Sequence, residues 1–318
     1  MLAAAGTLAA MAGCGSSTAT ARPTGPEKPD ITIAAVPATG AAGLYLAQQD
    51  GFFARQGLHV TILPSVSATD VVADLRSGRI DVSLGQWTTA ILVQAKHVAD
   101  LKALAEGNAG APQQVLTWAG SGIGSPAQLK DKTIAVNVLG GLAELEVLAD
   151  LAGYQIGPAQ VHFTVIPFPD MAAALAAHRV DAALLPEPYA SQAQIRSGDP
   201  AVFSTGQQGP TKDFPIEGYV VARSWARRYP RTAAAFATAI DQAQRIAGTD
   251  RAAVEQVLLR YIKGLDTKTA SVMGLGSYPD TVDPVPLGRV GDLMQQFPAI
   301  SGLPRSVSVS GVVAELTR

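Results

Sequence analysis

DVVADLRSGRIDVSLGQWTTA, residues 70–90, aligns without a gap on DMAAALAAHRVDAALLPEPYA, residues 170–190. The alignment pairs Asp70 with Asp170, Ala73 with Ala173, Leu75 with Leu175, Arg79 with Arg179, Asp81 with Asp181 and Leu84 with Leu184. Each copy reads as an amphipathic helix running into a short apolar strand. Upstream, Ile33-Ala34-Ala35-Val36 matches Ile134-Ala135-Val136, and Leu63-Pro64 matches Ile166-Pro167. A unit of about one hundred residues used twice is too long for a solenoid repeat and suits a whole α/β lobe. Two such lobes facing each other enclose a cleft.

Working outward from the repeat, ITIAAVP (31–37) reads as a buried strand, 41–56 as a helix ended by Gly57, and 58–63 as the next strand. Residues 68–77 form a helix and 80–84 a third strand. Strand, helix, strand, helix, strand implies a parallel sheet with right-handed crossovers. A helix over 88–96 and a strand over 101–105 follow. Residues 114–119 read as a strand leaving the first lobe. The second lobe repeats the plan with strands 133–137, 161–167 and 180–185 and helices 141–151 and 170–177. Residues 206–215 are turn-rich, and 218–222 return as a strand to the first lobe. The rest is helical, clearest over 231–248 and 251–261. The tail, 266–318, reads as short helices broken at Tyr278-Pro279, Asp283-Pro284 and Phe297-Pro298, packed on the first lobe. The expected architecture is α/β, two Rossmann-like lobes with a central cleft and a two-stranded hinge. Lobe 1 takes 30–113 and 216–318, and lobe 2 takes 114–215.

Composition narrows the function. With 318 residues, 47% of them hydrophobic and 16% charged, the chain can bury two medium cores. Twenty-four basic residues against 26 acidic ones, with no basic run, exclude an electrostatic nucleic-acid footprint. The lone cysteine rules out a disulfide framework. It stands at the end of MLAAAGTLAAMAGC (1–14), where Met11-Ala12-Gly13-Cys14 resembles a bacterial lipobox. Met11 replaces the usual Leu, and the leader lacks Lys and Arg. On this resemblance residues 1–13 are a lipoprotein signal peptide, Cys14 carries the lipid, and the Ser, Thr, Gly and Pro of 14–29 form a flexible tether. The folded part then sits on the extracytoplasmic face of the cell membrane, lipid-anchored, as a monomer.

Open parallel sheets bind ligands beyond the carboxyl ends of their strands, where loops feed helix N-termini. Those edges are 37–40, 65–67 and 85–88 in the first lobe, and 137–140, 168–169 and 186–189 in the second. The candidate ligand-binding residues are therefore Thr39, Tyr45, Ser67, Gln86, Trp87, Thr88, Asn137, Gly140, Glu187 and Tyr189. Gln86-Trp87 and Glu187-Pro188-Tyr189 occupy equivalent places in the repeat, so an aromatic from each lobe could sandwich a flat or apolar ligand. Lobe-interface packing for the two aromatics, and helix capping by Glu187, are the competing readings.

GLYLAQQDGFFARQGLHVTI (43–62), LRSGRIDVSLG (75–85), SPAQLKDKTIAV (125–136) and LLPEPYA (184–190), in that order, resemble the type II periplasmic-binding-protein family. Its members serve importers of nitrate, aliphatic sulfonates, taurine and thiamine-pyrimidine precursors. The resemblance covers roughly residues 30–250. It implies two lobes that close on a small-molecule ligand and deliver it to an ABC permease. Closure requires contacts from both lobes, because only differential affinity shifts an open–closed equilibrium. The rotation is expected near 111–115 and 214–218.

The cleft loops carry no Lys or Arg. An anion would rely on helix N-termini worth about 0.3–1 kcal/mol each, up to ~2 when partly buried, helped by hydroxyls such as Thr39, Ser65, Ser67 and Thr88. Glu187 opposes an anion and suits an amine or ring nitrogen. The reading favours a neutral or weakly cationic heterocyclic or amine-bearing solute, with an organosulfonate second. A cofactor-biosynthesis enzyme on the same fold and a ligand-sensing lipoprotein are the alternatives. Against an enzyme, the chain lacks the cysteine-rich motif of the pyrimidine-synthase relatives, a P-loop and Gly-x-Ser-x-Gly. His59, His97, His162 and His178 are dispersed without metal-ligand spacing, so neither cofactor nor metal is expected.

Overall fold

The computed structural model describes residues 25–64, 68–206 and 209–318. Cys14, the leader and Ser67 lie outside the described residues. β1 (Asp30–Ala35) passes through a 3-10 turn at Thr39–Ala41 into α1 (Ala42–Gln49) and α2 (Phe52–Arg55). Next come β2 (His59–Pro64), α3 (Ala68–Ser77), β3 (Val82–Gln86), α4 (Trp87–Ala95) and β4 (Leu101–Ala109). The chain crosses to β5 (Gln113–Thr117), β6 (Thr133–Val136), α5 (Leu142–Ala152), β7 (His162–Val165), α6 (Phe168–Ala176), β8 (Ala182–Pro186), α7 (Tyr189–Ser197) and β9 (Ala201–Thr205). It returns in β10 (Pro215–Ala222) and continues as α8 (Arg223–Arg228), α9 (Pro230–Thr249), α10 (Arg251–Tyr261), α11 (Thr267–Val272), α12 (Pro284–Gln296), α13 (Pro298–Ser301) and α14 (Val309–Thr317).

Two five-stranded sheets result, ordered β2-β1-β3-β10-β4 and β7-β6-β8-β5-β9. The orders are the same pattern twice. In each sheet the first three strands are parallel. Each crossing segment enters its new sheet as an antiparallel strand in the fourth place, β10 between β3 and β4, and β5 between β8 and β9.

The repeated Asp explains why the pattern survives in the sequence. Thr32 N donates to Asp81 Oδ2 at 3.0 Å while Asp81 N donates to Thr32 O at 2.8 Å. In the second lobe Thr133 N donates to Asp181 Oδ2 at 2.8 Å and Asp181 N to Thr133 O at 2.9 Å. Each carboxylate thus ties the approach to the third strand onto the first strand of its sheet, with charge-assisted bonds that fix register. Asp81 also accepts from Trp225 Nε1 at 2.8 Å and pairs with Lys28.

Several expectations shift. The helix over 41–56 is two helices, because Gly51 takes a left-handed φ of 73° that breaks the hydrogen-bond ladder. The strand from Leu101 runs to Ala109, since β10 pairs along its whole length. α7 and β9 were not foreseen; β9 is the edge partner that completes the second sheet beside β5. Residues 25–29, assigned from sequence to the tether, are docked on α9. Glu27 accepts from Thr232 N at 2.9 Å and Arg231 N at 3.2 Å, capping the helix N-terminus, and Arg231 Nε donates to Gly25 O at 2.8 Å.

One apolar cluster fills the face of the first sheet under α1, α9 and α10, with Tyr45, Tyr219 and Phe236 in it. The opposite face packs on α4, α12 and α14, and the same cluster takes Leu142, Leu145 and Ala149 from α5. The tail therefore touches both lobes, not the first alone, because α12 and α13 lie across the lobe boundary. Two smaller clusters cover the faces of the second sheet. No helix among the described residues is long and apolar enough to cross a membrane.

Candidate functional site

A cavity of about 110 Å³ lies where the strand ends of the two sheets face each other. The first lobe contributes Thr39 and Gly40 after β1, Gln86 at the end of β3, Asn108 on β4 and Glu217 on β10. The second contributes Asn137 after β6, Phe168, and Pro186 and Glu187 after β8, while Ala111, Pro112 and Gln113 of the first crossing close one side. Among the described residues no Lys, Arg or His lines it. The lobes touch around this space: Thr39 N donates to Glu187 O at 3.2 Å and the Tyr189 hydroxyl to Pro37 O at 3.4 Å.

Carboxylates dominate the electrostatics. Glu187 is 1% exposed and already saturated. It accepts from Ser191 N (3.1 Å), Ser191 Oγ (2.9 Å), Gln114 Nε2 (3.3 Å) and Gly274 N (3.5 Å), and so caps α7 from inside the chain. Burial raises its pKa, and these bonds pull it back. Glu144 does the same for the loop entering α5, accepting from Gly140 N at 2.7 Å. The N-terminus of α7 is therefore occupied by the chain's own carboxylate, whereas Glu144 reaches only the Gly140 amide ahead of α5.

Glu217 differs. Its carboxylate accepts no hydrogen bond from a described residue and packs against Gly40, where a Cβ would overlap Oε1. Burial alone pushes its pKa from 4.5 to about 7. Beside it Asn108 is 3% exposed, and its Oδ1 has no partner among the described residues; the Asn137 Oδ1 is likewise unpaired. Behind them Glu106 is driven by burial to about 8, opposed by the 2.6 Å bond from Trp87 Nε1. Glu146, also pushed by burial to about 8, holds Gln113 Nε2 at 2.7 Å and Thr205 Oγ1 at 2.8 Å, and so orients a cavity-lining amide.

Of the residues expected from sequence, Thr39, Gln86, Asn137 and Glu187 line the cavity. Trp87 does not. As the first residue of α4 it turns into the first lobe, 0% exposed, with its ring against Gly218, so it cannot sandwich a ligand with Tyr189. Thr88 is buried behind it. Tyr189 stacks on Phe168 at 5.9 Å and bridges the lobes, and Tyr45 stacks on Tyr261 at 4.7 Å in the core. Gly140 sits against Ile300 O of α13. Glu217, Asn108 and Gln113 were missed, while Gly40 lies on the 37–40 edge that was expected. A lone acid in the apolar strand FPIEGYVVA (214–222) is the signal that pointed to Glu217. Among the described residues no group of three His, Cys, Asp or Glu is placed to hold a metal ion.

This two-lobe arrangement around a cleft is the fold of periplasmic solute-binding proteins. It is similar to the periplasmic nitrate-binding protein NrtA from Synechocystis PCC 6803 (TM-score 0.75, 18% identity, covering 92% of this chain and 87% of that one). It is similar also to the alkanesulfonate-binding protein SsuA from Xanthomonas axonopodis pv. citri bound to MOPS (0.75, 20%, 90% and 98%). A third likeness is to the aliphatic sulphonate binding protein SsuA from Escherichia coli (0.70, 19%, 89% and 96%). No curated protein sequence matches the chain. The family model of the NMT1-like family matches residues 24–260, and the chain belongs to that family.

Proposed function

We propose that the protein is the extracytoplasmic solute-binding component of an ABC importer, anchored through Cys14, and that it captures a small cationic or neutral solute bearing an amine or a basic ring nitrogen. The carrying observation is Glu217, a carboxylate without a partner among the described residues, facing a cavity that no described cation lines. A donor-bearing cation would supply the missing partner and a charge-assisted hydrogen bond. Asn108 and Asn137 offer further unpaired acceptors, and Gln86 and Gln113 add amides. Residues from both lobes line the space, which lets a ligand favour the closed form and present it to a permease.

Nitrate and sulfonate binding by fold neighbours at 18–20% identity speaks for capture of a small solute, not for its charge. Calorimetric titration of the protein with alkylamines, aminopyrimidines, taurine, alkanesulfonates and nitrate tests the assignment. Binding of amines or aminopyrimidines that Glu217→Gln weakens supports it, and binding of nitrate or sulfonates alone overturns it. Membrane partitioning of the full chain in a bacterial host, lost in Cys14→Ala, tests the anchor.

A further inference from the structure

The cavity does not stop at the polar cleft. The same space is lined by Val72 and Leu75 of α3, Ala90 of α4, Leu101 of β4, and Ile216 and Val220 of β10. These residues lie on the face of the first sheet opposite the one that packs on α1 and α9. Gly85, next to last in β3, lines the space between Leu84 and Gln86 and brings no side chain into the passage between its polar and apolar walls. A void with aliphatic walls is rare inside a close-packed lobe. Its walls give up dispersion contacts until something apolar fills it. Here the void opens onto Glu217, whose carboxylate has no partner among the described residues.

Resting on the reading of the cleft as a solute site, we infer that its ligand is amphipathic: an amine held at Glu217 and Asn108, carrying a short alkyl group that enters the recess between α3, α4 and the sheet. The size of the space sets the limit, since ~150 Å³ accommodates a benzene ring and the whole cavity here is about 110 Å³, room for a short alkyl chain and not for a ring. A simple inorganic ion would leave the aliphatic walls uncovered. An amine with a short chain satisfies both ends.

The test is calorimetric titration of the full protein with methylamine, n-propylamine, n-butylamine, n-hexylamine and benzylamine, with the matching alkanesulfonates alongside. Each methylene that enters the recess should tighten binding about fourfold, up to the chain length that fills it. Ala90→Leu fills the recess from α4, and Gly85→Val blocks the passage, where a Cβ meets only Ser83 Oγ at 3.1 Å. In both variants the chain-length gain should disappear, so that the affinities of methylamine and n-hexylamine converge. Should the amines bind with no dependence on length, the recess is a packing defect and the inference falls, while the importer reading stands. Should alkanesulfonates bind and amines not, the charge assignment falls and the amphipathic amine with it. A loss of methylamine binding in Ala90→Leu equal to that of hexylamine would also overturn the inference, since the recess would then be acting on the fold and not on the tail.

Discussion

Replacing Glu217 with Gln should make the ligand-free protein more stable and its grip on an amine weaker. The sign follows from its pKa, raised by burial from 4.5 to about 7. Below about pH 4.5 the carboxyl is neutral in folded and unfolded chains alike, so it adds no pH dependence. Between 4.5 and about 7 the unfolded chain ionises while the folded one keeps its proton, and stability falls as pH rises. Above about 7 the loss is complete. The displacement corresponds to ~3 kcal/mol at full ionisation, and solvent reaching the partly exposed carboxylate through the cleft trims it to ~2 kcal/mol. Gln has the same shape without the charge, so the variant should gain that amount at pH 8 and nothing at pH 4. At roughly 2–3 °C per kcal/mol for a chain of this size, the midpoint should rise by ~5 °C at pH 8. Binding moves the other way. Exchanging a hydrogen bond to a charged acceptor for a neutral one costs ~1–1.5 kcal/mol, a five- to tenfold loss of amine affinity. Thermal denaturation from pH 4 to 8 and calorimetric titration with n-butylamine read both effects. An unchanged difference in midpoint across that pH range would refute the claim that Glu217 is held desolvated at the cleft.

Trp87→Phe removes the donor that Glu106 Oε1 holds at 2.6 Å and should destabilise by ~1–3 kcal/mol. Thermal denaturation should show the loss growing between pH 6 and 9, because Glu106 ionises near 8, while calorimetry shows ligand affinity changed less than twofold. Gly140→Ala places a Cβ 2.7 Å from Ile300 O at a backbone with φ 73°. The left-handed conformation alone costs ~1–2 kcal/mol for Ala, and small-angle scattering should report lobes further apart along with weaker ligand binding. Asp81→Ala strands Thr32 N, Trp225 Nε1 and Lys28 and should cost ~2–4 kcal/mol in urea unfolding. Asp181→Ala, whose carboxylate is more exposed and has no Trp donor, should cost less.

The fold was legible because the repeated element is held by the same backbone ties in both sheets. Asp81 and Asp181 must stand where they do for β3 and β8 to register on β1 and β6, so an ungapped repeat is the trace of a geometric requirement. The site was only half legible for a related reason. Thr39, Gln86, Asn137 and Glu187 lie at parallel strand ends, which the strand–helix pattern marks. Trp87 follows Gln86 by one residue, and whether that residue faces ligand or core depends on how α4 starts; Gly218 on the neighbouring strand leaves room for the ring, and no local pattern records that. Glu217 and Asn108 sit on β10 and β4, outside the aligned copies, in strands whose pairing is known only once the chain has crossed and come back.

On the proposed reading, that returning strand sets the charge of the ligand. An anion in the cavity would gain ~0.3–2 kcal/mol from a helix N-terminus, and that of α7 is already taken by Glu187. Against this, a ligand charge ~5 Å from an ionised Glu217 would meet a repulsion of ~3 kcal/mol at an effective dielectric near 20. Repulsion wins while Glu217 is ionised, and it vanishes when Glu217 takes up a proton below about pH 7. A cation reverses both terms, because its own field favours the ionised carboxylate and lowers the pKa that burial raised. On the proposed reading, this chain shares a backbone with fold neighbours named for nitrate and alkanesulfonate binding and takes a ligand of the other charge, since an ionised Glu217 repels an anion by more than one helix N-terminus returns.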